Sequence, residues 1–163
     1  KDQTTLTPSN VFIFQDGNMS DETTIELKKE LVRKQPVFAN FSAEEVDVLV
    51  TLLVEKKFAA GDVIVKQGDR VDSVYLIVSG NADVIVTNRE NNQNVDTKVA
   101  TLSGGKSIGL SDQGFYSLTG LRTATVIATS EMTLLKLSVV VFRGFALAYP
   151  HASEVLRAQA ERL

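Results

Sequence analysis

From Gly104 to Thr125 the chain reads Gly-Gly-Lys-Ser-Ile-Gly-Leu-Ser-Asp-Gln-Gly-Phe-Tyr-Ser-Leu-Thr-Gly-Leu-Arg-Thr-Ala-Thr. Beyond Gly105 its charged residues are Lys106, Asp112 and Arg122. Glycines spaced in this way let a backbone turn tightly and aim successive N–H groups at one point, a geometry that suits an anion. Arg122 at the far end can pair bidentately with a phosphate or carboxylate. A surface loop with a solvated arginine fits the same residues.

The flanking elements must decide between the two. Residues 1–19 are polar apart from the strand-like run Val11-Phe12-Ile13-Phe14, which the turn signal Asp16-Gly17-Asn18 ends. A helix is then expected, capped by Ser20 or Asp21, with Ile25, Leu27, Leu31 and Val32 on its apolar side and Gln35-Pro36 as its stop. Pro36 to Val54 is helical again, with Phe38 and Phe41 flanking a capping box at Ser42–Glu45. The period then changes to that of strands: Val63–Val65, Val74–Val78, Ala82–Thr87, Val99–Leu102, Ala124–Ala128 and Met132–Leu137. The tract Asn88–Asn94 reads as a solvated hairpin loop. Ser138 caps a helix carrying Val141, Phe142, Phe145 and Leu147, Pro150 breaks it, and His151–Leu163 continues with Val155, Leu156, Ala160 and Leu163. The expected fold is mainly β: an antiparallel, jelly-roll-like β roll with N-terminal helices and C-terminal lid helices. Residues 1–35 form an extension and residues 36–163 the domain.

Composition removes several classes of function. The 163 residues carry a net charge of −3 with scattered lysines and arginines, so no nucleic-acid partner is expected. No apolar run is long enough to span a bilayer. The chain has no cysteine, which excludes disulfides and thiolate chemistry within it and fits a reducing, cytoplasmic setting. Its one histidine, His151, supports neither a Ser–His–acid triad nor a two-histidine metal site. An enzyme is not expected. The chain opens on Lys1, so a fragment or processed product is expected.

The ordered motifs resemble those of the cyclic-nucleotide-binding domain family. Phe58-Ala59-Ala60-Gly61-Asp62-Val63-Ile64-Val65-Lys66-Gln67-Gly68-Asp69 resembles its opening strands, and Asp72-Ser73-Val74-Tyr75-Leu76-Ile77-Val78-Ser79-Gly80 its next strand and turn. Arg122-Thr123-Ala124-Thr125-Val126 matches the end of its phosphate-binding cassette, and Leu134–Leu137 with Phe142 its exit strand and closing helix. The resemblance covers residues 36–163. It implies a ligand site of Gly109, Leu110, Ser111, Arg122, Thr123 and Ala124, with cAMP, cGMP or another small anion as ligand and no resident cofactor or metal. It also implies an output domain or partner protein outside the chain.

In that family the cassette arginine holds the cyclic phosphate, and a Glu after a glycine holds the ribose 2′-hydroxyl. Arg122 takes the first role. The second is where the sequence departs: Leu110 stands at the acid's place if Ile108-Gly109-Leu110 is the matching turn, and Phe115 does if Gln113-Gly114-Phe115 is. Asp112 is the cassette's one acid and could reach the ribose from another angle. Thr123 resembles the hydroxyl of family members that favour cGMP, and a plain strand threonine reads the same. Weak or altered nucleotide binding is expected. The alternative is a nucleotide-free interaction or autoinhibitory module of the same fold, with Phe115 and Tyr116 filling the pocket.

Overall fold

A computed structural model describes residues 23–110 and 120–160, with side-chain detail to residue 158. Helices α1 (Ile25–Lys34) and α2 (Ala43–Thr51) flank a 3-10 turn, Pro36–Phe38. Eight strands follow: β1 (Val54–Phe58), β2 (Val63–Val65), β3 (Ser73–Ser79), β4 (Ala82–Glu90), β5 (Gln93–Leu102), β6 (Ser107–Ile108), β7 (Thr125–Ala128) and β8 (Met132–Ser138). Helices α3 (Val139–Ala148) and α4 (Pro150–Ala160) end the described chain. The strands form two four-stranded antiparallel sheets, β1-β8-β3-β6 and β2-β7-β4-β5. This is the expected roll with flanking helices.

Strand β3 explains how the layers hold together. Its side chains alternate between two cores. Val74 and Leu76 join Leu135 and Leu137 of β8 beneath the helices, with Phe38, Phe41, Phe142 and Phe145. Tyr75 and Ile77 face the second sheet, with Leu134, Val65, Val126 and Ala128. A strand buried on both faces must be apolar throughout, as the run Val74–Val78 is.

Several boundaries differ from the sequence expectation. Thr24 caps α1, its side chain accepting from Leu27 N at 3.1 Å; Ser20 and Asp21 lie outside the described residues. Ile25 is exposed and does not join the apolar side. The second helix stops at Thr51, and Val54 pairs with Lys136 as the first residue of β1. The Asn88–Asn94 tract is mostly strand: Asn88, Arg89 and Glu90 pair with Val95, Asn94 and Gln93. The turn itself is Asn91-Asn92, both at positive φ (51° and 64°), the conformation a two-residue hairpin needs and asparagine tolerates. On α3, Phe142 and Phe145 are buried, but Val141 is exposed and Leu147 is 85% exposed. Of α4, Ala152 and Leu156 are buried and Val155 is packed against the helical core, while the run Val11–Phe14, Ala160's side chain and Leu163 fall outside the described detail.

The two ends of the helical layer meet where His151 of α4 touches Glu45 of α2. Glu45, buried at 3% exposure, accepts from Ser42 N at 2.7 Å in the capping box. His151 Nδ1 lies 2.9 and 3.1 Å from its two carboxylate oxygens. Burial pushes the Glu45 carboxyl upward, but the Ser42 N–H, the His151 hydrogen bond and the His151 charge together hold it below its ordinary value. A lowered folded-state pKa contributes stability above the unfolded value and loses it as pH falls through the folded one. Glu45→Gln should therefore be less stable than the native chain at neutral pH, with the gap narrowing as pH falls below about 4.5. Urea midpoints across pH check this; a constant gap would show that the carboxylate's charge contributes nothing.

Candidate functional site

The turn after β2 and the segment before β7 form a short ladder that fixes Arg122. Gly68 N donates to Arg122 O at 2.9 Å, Arg122 N to Asp69 O at 2.7 Å, and Val71 N to Gly120 O at 2.8 Å. Arg70 and Leu121 bridge between them. Gln67 ties this corner to the roll: its N–H donates to Thr125 Oγ1 at 3.0 Å and its side chain exchanges two bonds with the Thr87 backbone. With its main chain clamped, Arg122 directs its side chain inward and is only 5% exposed.

The guanidinium is half committed. Nη2 donates to Ser73 O at 2.7 Å and lies 3.6 Å from Asp72 Oδ1, which also accepts from Ser73 Oγ at 2.9 Å. Nη1 is buried and has no hydrogen-bond partner among the described residues. A buried donor left in this way costs about 1–3 kcal/mol unless something accepts from it. An arginine with one nitrogen anchored and the other free is a receptor for an anionic oxygen.

Gly109 makes the approach possible. Its φ is +95°, and a Cβ there would lie 2.9 Å from Arg122 Nη1 and 3.2 Å from Val74 Cγ1. Leu110, next in the chain, packs half-buried against the helical core. Thr123 is exposed and Ala124 half-buried. Ser111, Asp112, Phe115 and Tyr116 lie outside the described residues. Arg122 and Gly109 are thus brought into contact, and Arg122 also lines an open pocket of about 380 Å³ with Lys66, Asp69, Arg70, Asp72 and Lys136. Asp72, Ser73, Gln67 and Lys136 carry no role in the sequence reading. Gln67, Asp72 and Ser73 stood inside the strand motifs, and Lys136 interrupts the apolar run Leu134–Leu137. Among the described residues no cluster of His, Cys, Asp or Glu could hold a metal ion. No helix among them is long and apolar enough to cross a membrane.

The family model for the cyclic nucleotide-binding domain matches residues 55–149, which contain this whole corner. The chain belongs to that family. It is 38% identical over 107 residues to a cAMP-dependent protein kinase regulatory subunit of Blastocladiella emersonii, covering 66% of this chain and 25% of the relative. A regulatory subunit of the same description from Dictyostelium discoideum is 32% identical over 123 residues, covering 74% and 36%. The chain thus spans between a quarter and about a third of these relatives' length. The N-terminal domain of a transcriptional regulator from Streptomyces coelicolor superposes with a TM-score of 0.69 at 26% identity, over 81% of this chain and 89% of that one.

Gly109→Ala should force Arg122 aside and hold an alanine at positive φ, destabilising the chain by about 1–2 kcal/mol. Denaturant unfolding measures this. An unchanged midpoint would mean that the guanidinium does not need the space.

Proposed function

We propose that this chain is a regulatory module that senses a small anionic ligand of the cyclic-nucleotide class and passes the signal to an output domain or partner protein outside these residues. The observation that carries this reading is the open Nη1 of a buried, anchored Arg122 beside Gly109. The kinase regulatory subunits among its relatives support it, and so does the histidine count, which leaves no catalytic centre of the kinds considered above. The site in this reading is Gly109, Ser111, Arg122, Thr123 and Ala124, backed by Leu110 on the helical core, within a ligand domain of residues 36–163 that follows an extension of residues 1–35. A cytoplasmic location accords with the absence of cysteine.

cAMP and cGMP bind weakly in this reading, because the ribose loses its carboxylate partner. A hydrogen bond to a charged group is worth about 1.5–3 kcal/mol, so the loss weakens binding on the order of ten- to a hundredfold. A second reading, a nucleotide-free interaction module, draws on two features. Arg122 already serves its own chain through Ser73 and Asp72, and α3 exposes Val140 and Leu147.

Calorimetric titration of the chain with cAMP and cGMP separates them. Weak binding that Arg122→Ala abolishes and Arg122→Lys partly restores fits the sensor, since lysine cannot make the paired fork. Because Arg122 also holds the Ser73 carbonyl, Arg122→Ala should cost about 1–3 kcal/mol of stability, so folding is measured alongside. Affinity unchanged in Arg122→Ala would end its role as ligand residue. Leu110→Glu should not restore tight binding, because the new carboxylate would sit against the helical core and cost about 1–3 kcal/mol or more. A gain in affinity without loss of stability would show that position 110 faces the ligand after all. Phe115→Glu tests the other alignment.

A further inference from the structure

Lys136 is the only charged residue of β8. Leu135 and Leu137 face the helical core and Leu134 faces the second sheet, so alternation puts Lys136 on the roll side of β8. There it pairs across the ladder with Tyr75, a buried residue of the roll core. Two residues further along each strand, Ser73 pairs with Ser138, and it is the Ser73 carbonyl that anchors Arg122. Lys136 and Arg122 line the same pocket of about 380 Å³.

The charge around that pocket is one-sided. Four cations, Lys66, Arg70, Arg122 and Lys136, face two acids, Asp69 and Asp72. Asp72 is already engaged by Arg122 at 3.6 Å. Among the described residues Lys66, Arg70 and Lys136 have no ion pair, in a chain whose net charge is −3. Half-burying a lysine without an acid partner costs free energy that an anionic ligand would offset.

A cyclic phosphodiester brings one negative charge. A terminal phosphomonoester brings about 1.5 to 2 at pH 7, with three acceptor oxygens. A guanidinium with one nitrogen unpaired and an ammonium lining the same pocket match the second better than the first.

We propose that the pocket shared by Arg122 and Lys136 takes a terminal phosphomonoester, and that Lys136 sets its preference over the cyclic phosphodiester. The inference rests on Arg122 as the anion-binding residue. A nucleoside 5′-phosphate and a sugar phosphate both supply the group.

The test is calorimetric titration of the 163-residue chain with 5′-AMP, ribose 5-phosphate, inorganic phosphate and cAMP. 5′-AMP should bind about tenfold more tightly than cAMP, an increment of one charged contact. Lys136→Gln should weaken 5′-AMP about tenfold more than cAMP and so remove that preference, and Lys136→Arg, which keeps the charge, should retain it. Equal affinity for 5′-AMP and ribose 5-phosphate would identify the sugar phosphate as sufficient; a drop for ribose 5-phosphate would identify the nucleotide. cAMP binding as tightly as 5′-AMP overturns the inference and leaves Arg122's role standing, as does a Lys136→Gln or Lys136→Arg chain that folds yet shifts all ligands equally. If no anion binds, or if Arg122→Ala changes nothing, both readings fall together.

Discussion

A guanidinium buried inside a protein must be held, and the way Arg122 is held organises this molecule. Its main chain is clamped by the turn after β2, and its side chain spans to the first residue of β3. Thus the second sheet, through β2 and β7, is tied to the first sheet, through β3, at the corner where a ligand would enter. The bond to the Ser73 carbonyl is charge-assisted and short, and such bonds are roughly twice as strong as neutral ones. What remains unsatisfied among the described residues is Nη1.

The same corner joins the helical layer. Val74 follows Ser73 and packs beneath the helices, so a shift of Arg122 reaches Val74 both through the β3 backbone and through Gly109, which both side chains crowd. Leu110 extends the contact by packing against the helical core itself. At the layer's other side, His151 of α4 meets Glu45 of α2, so the C-terminal helix is fastened to the N-terminal one. With 58% of its side chain exposed, that histidine contributes modestly, but it sets where α4 sits. The apolar side of α4 packs into the helical core through Ala152 and Leu156. Ligand can move such a helix only by binding its two positions with different affinity.

The sequence made the layers legible because period and burial agree there. β3 is apolar at every position from Val74 to Val78 because both its faces are covered, and the Ser42 capping box announces α2 without reference to anything distant. What stayed hidden depends on contacts far apart in sequence. Asp72 and Ser73 read as the opening of a strand; only the fold puts them against Arg122, 49 residues on from Ser73. The Asn88–Asn94 tract reads as loop because its side chains are polar, yet an exposed hairpin needs only backbone pairing and a turn, which Asn91 and Asn92 provide. Leu147 reads as core because it is apolar at a helical spacing, and the α3 surface it lies on has no neighbour among the described elements.

Lys136 bears on whether the corner around Arg122 serves the fold alone. Lys136 is a cost to the fold: a half-buried cation on the roll side of β8, opposite a buried tyrosine and in no ion pair among the described residues. Its roll-side neighbours on β8 are Leu134 and Ser138, both uncharged, so an uncharged residue would fit at 136 without that penalty. A charge kept where an uncharged residue would serve the fold better is most simply kept for a ligand.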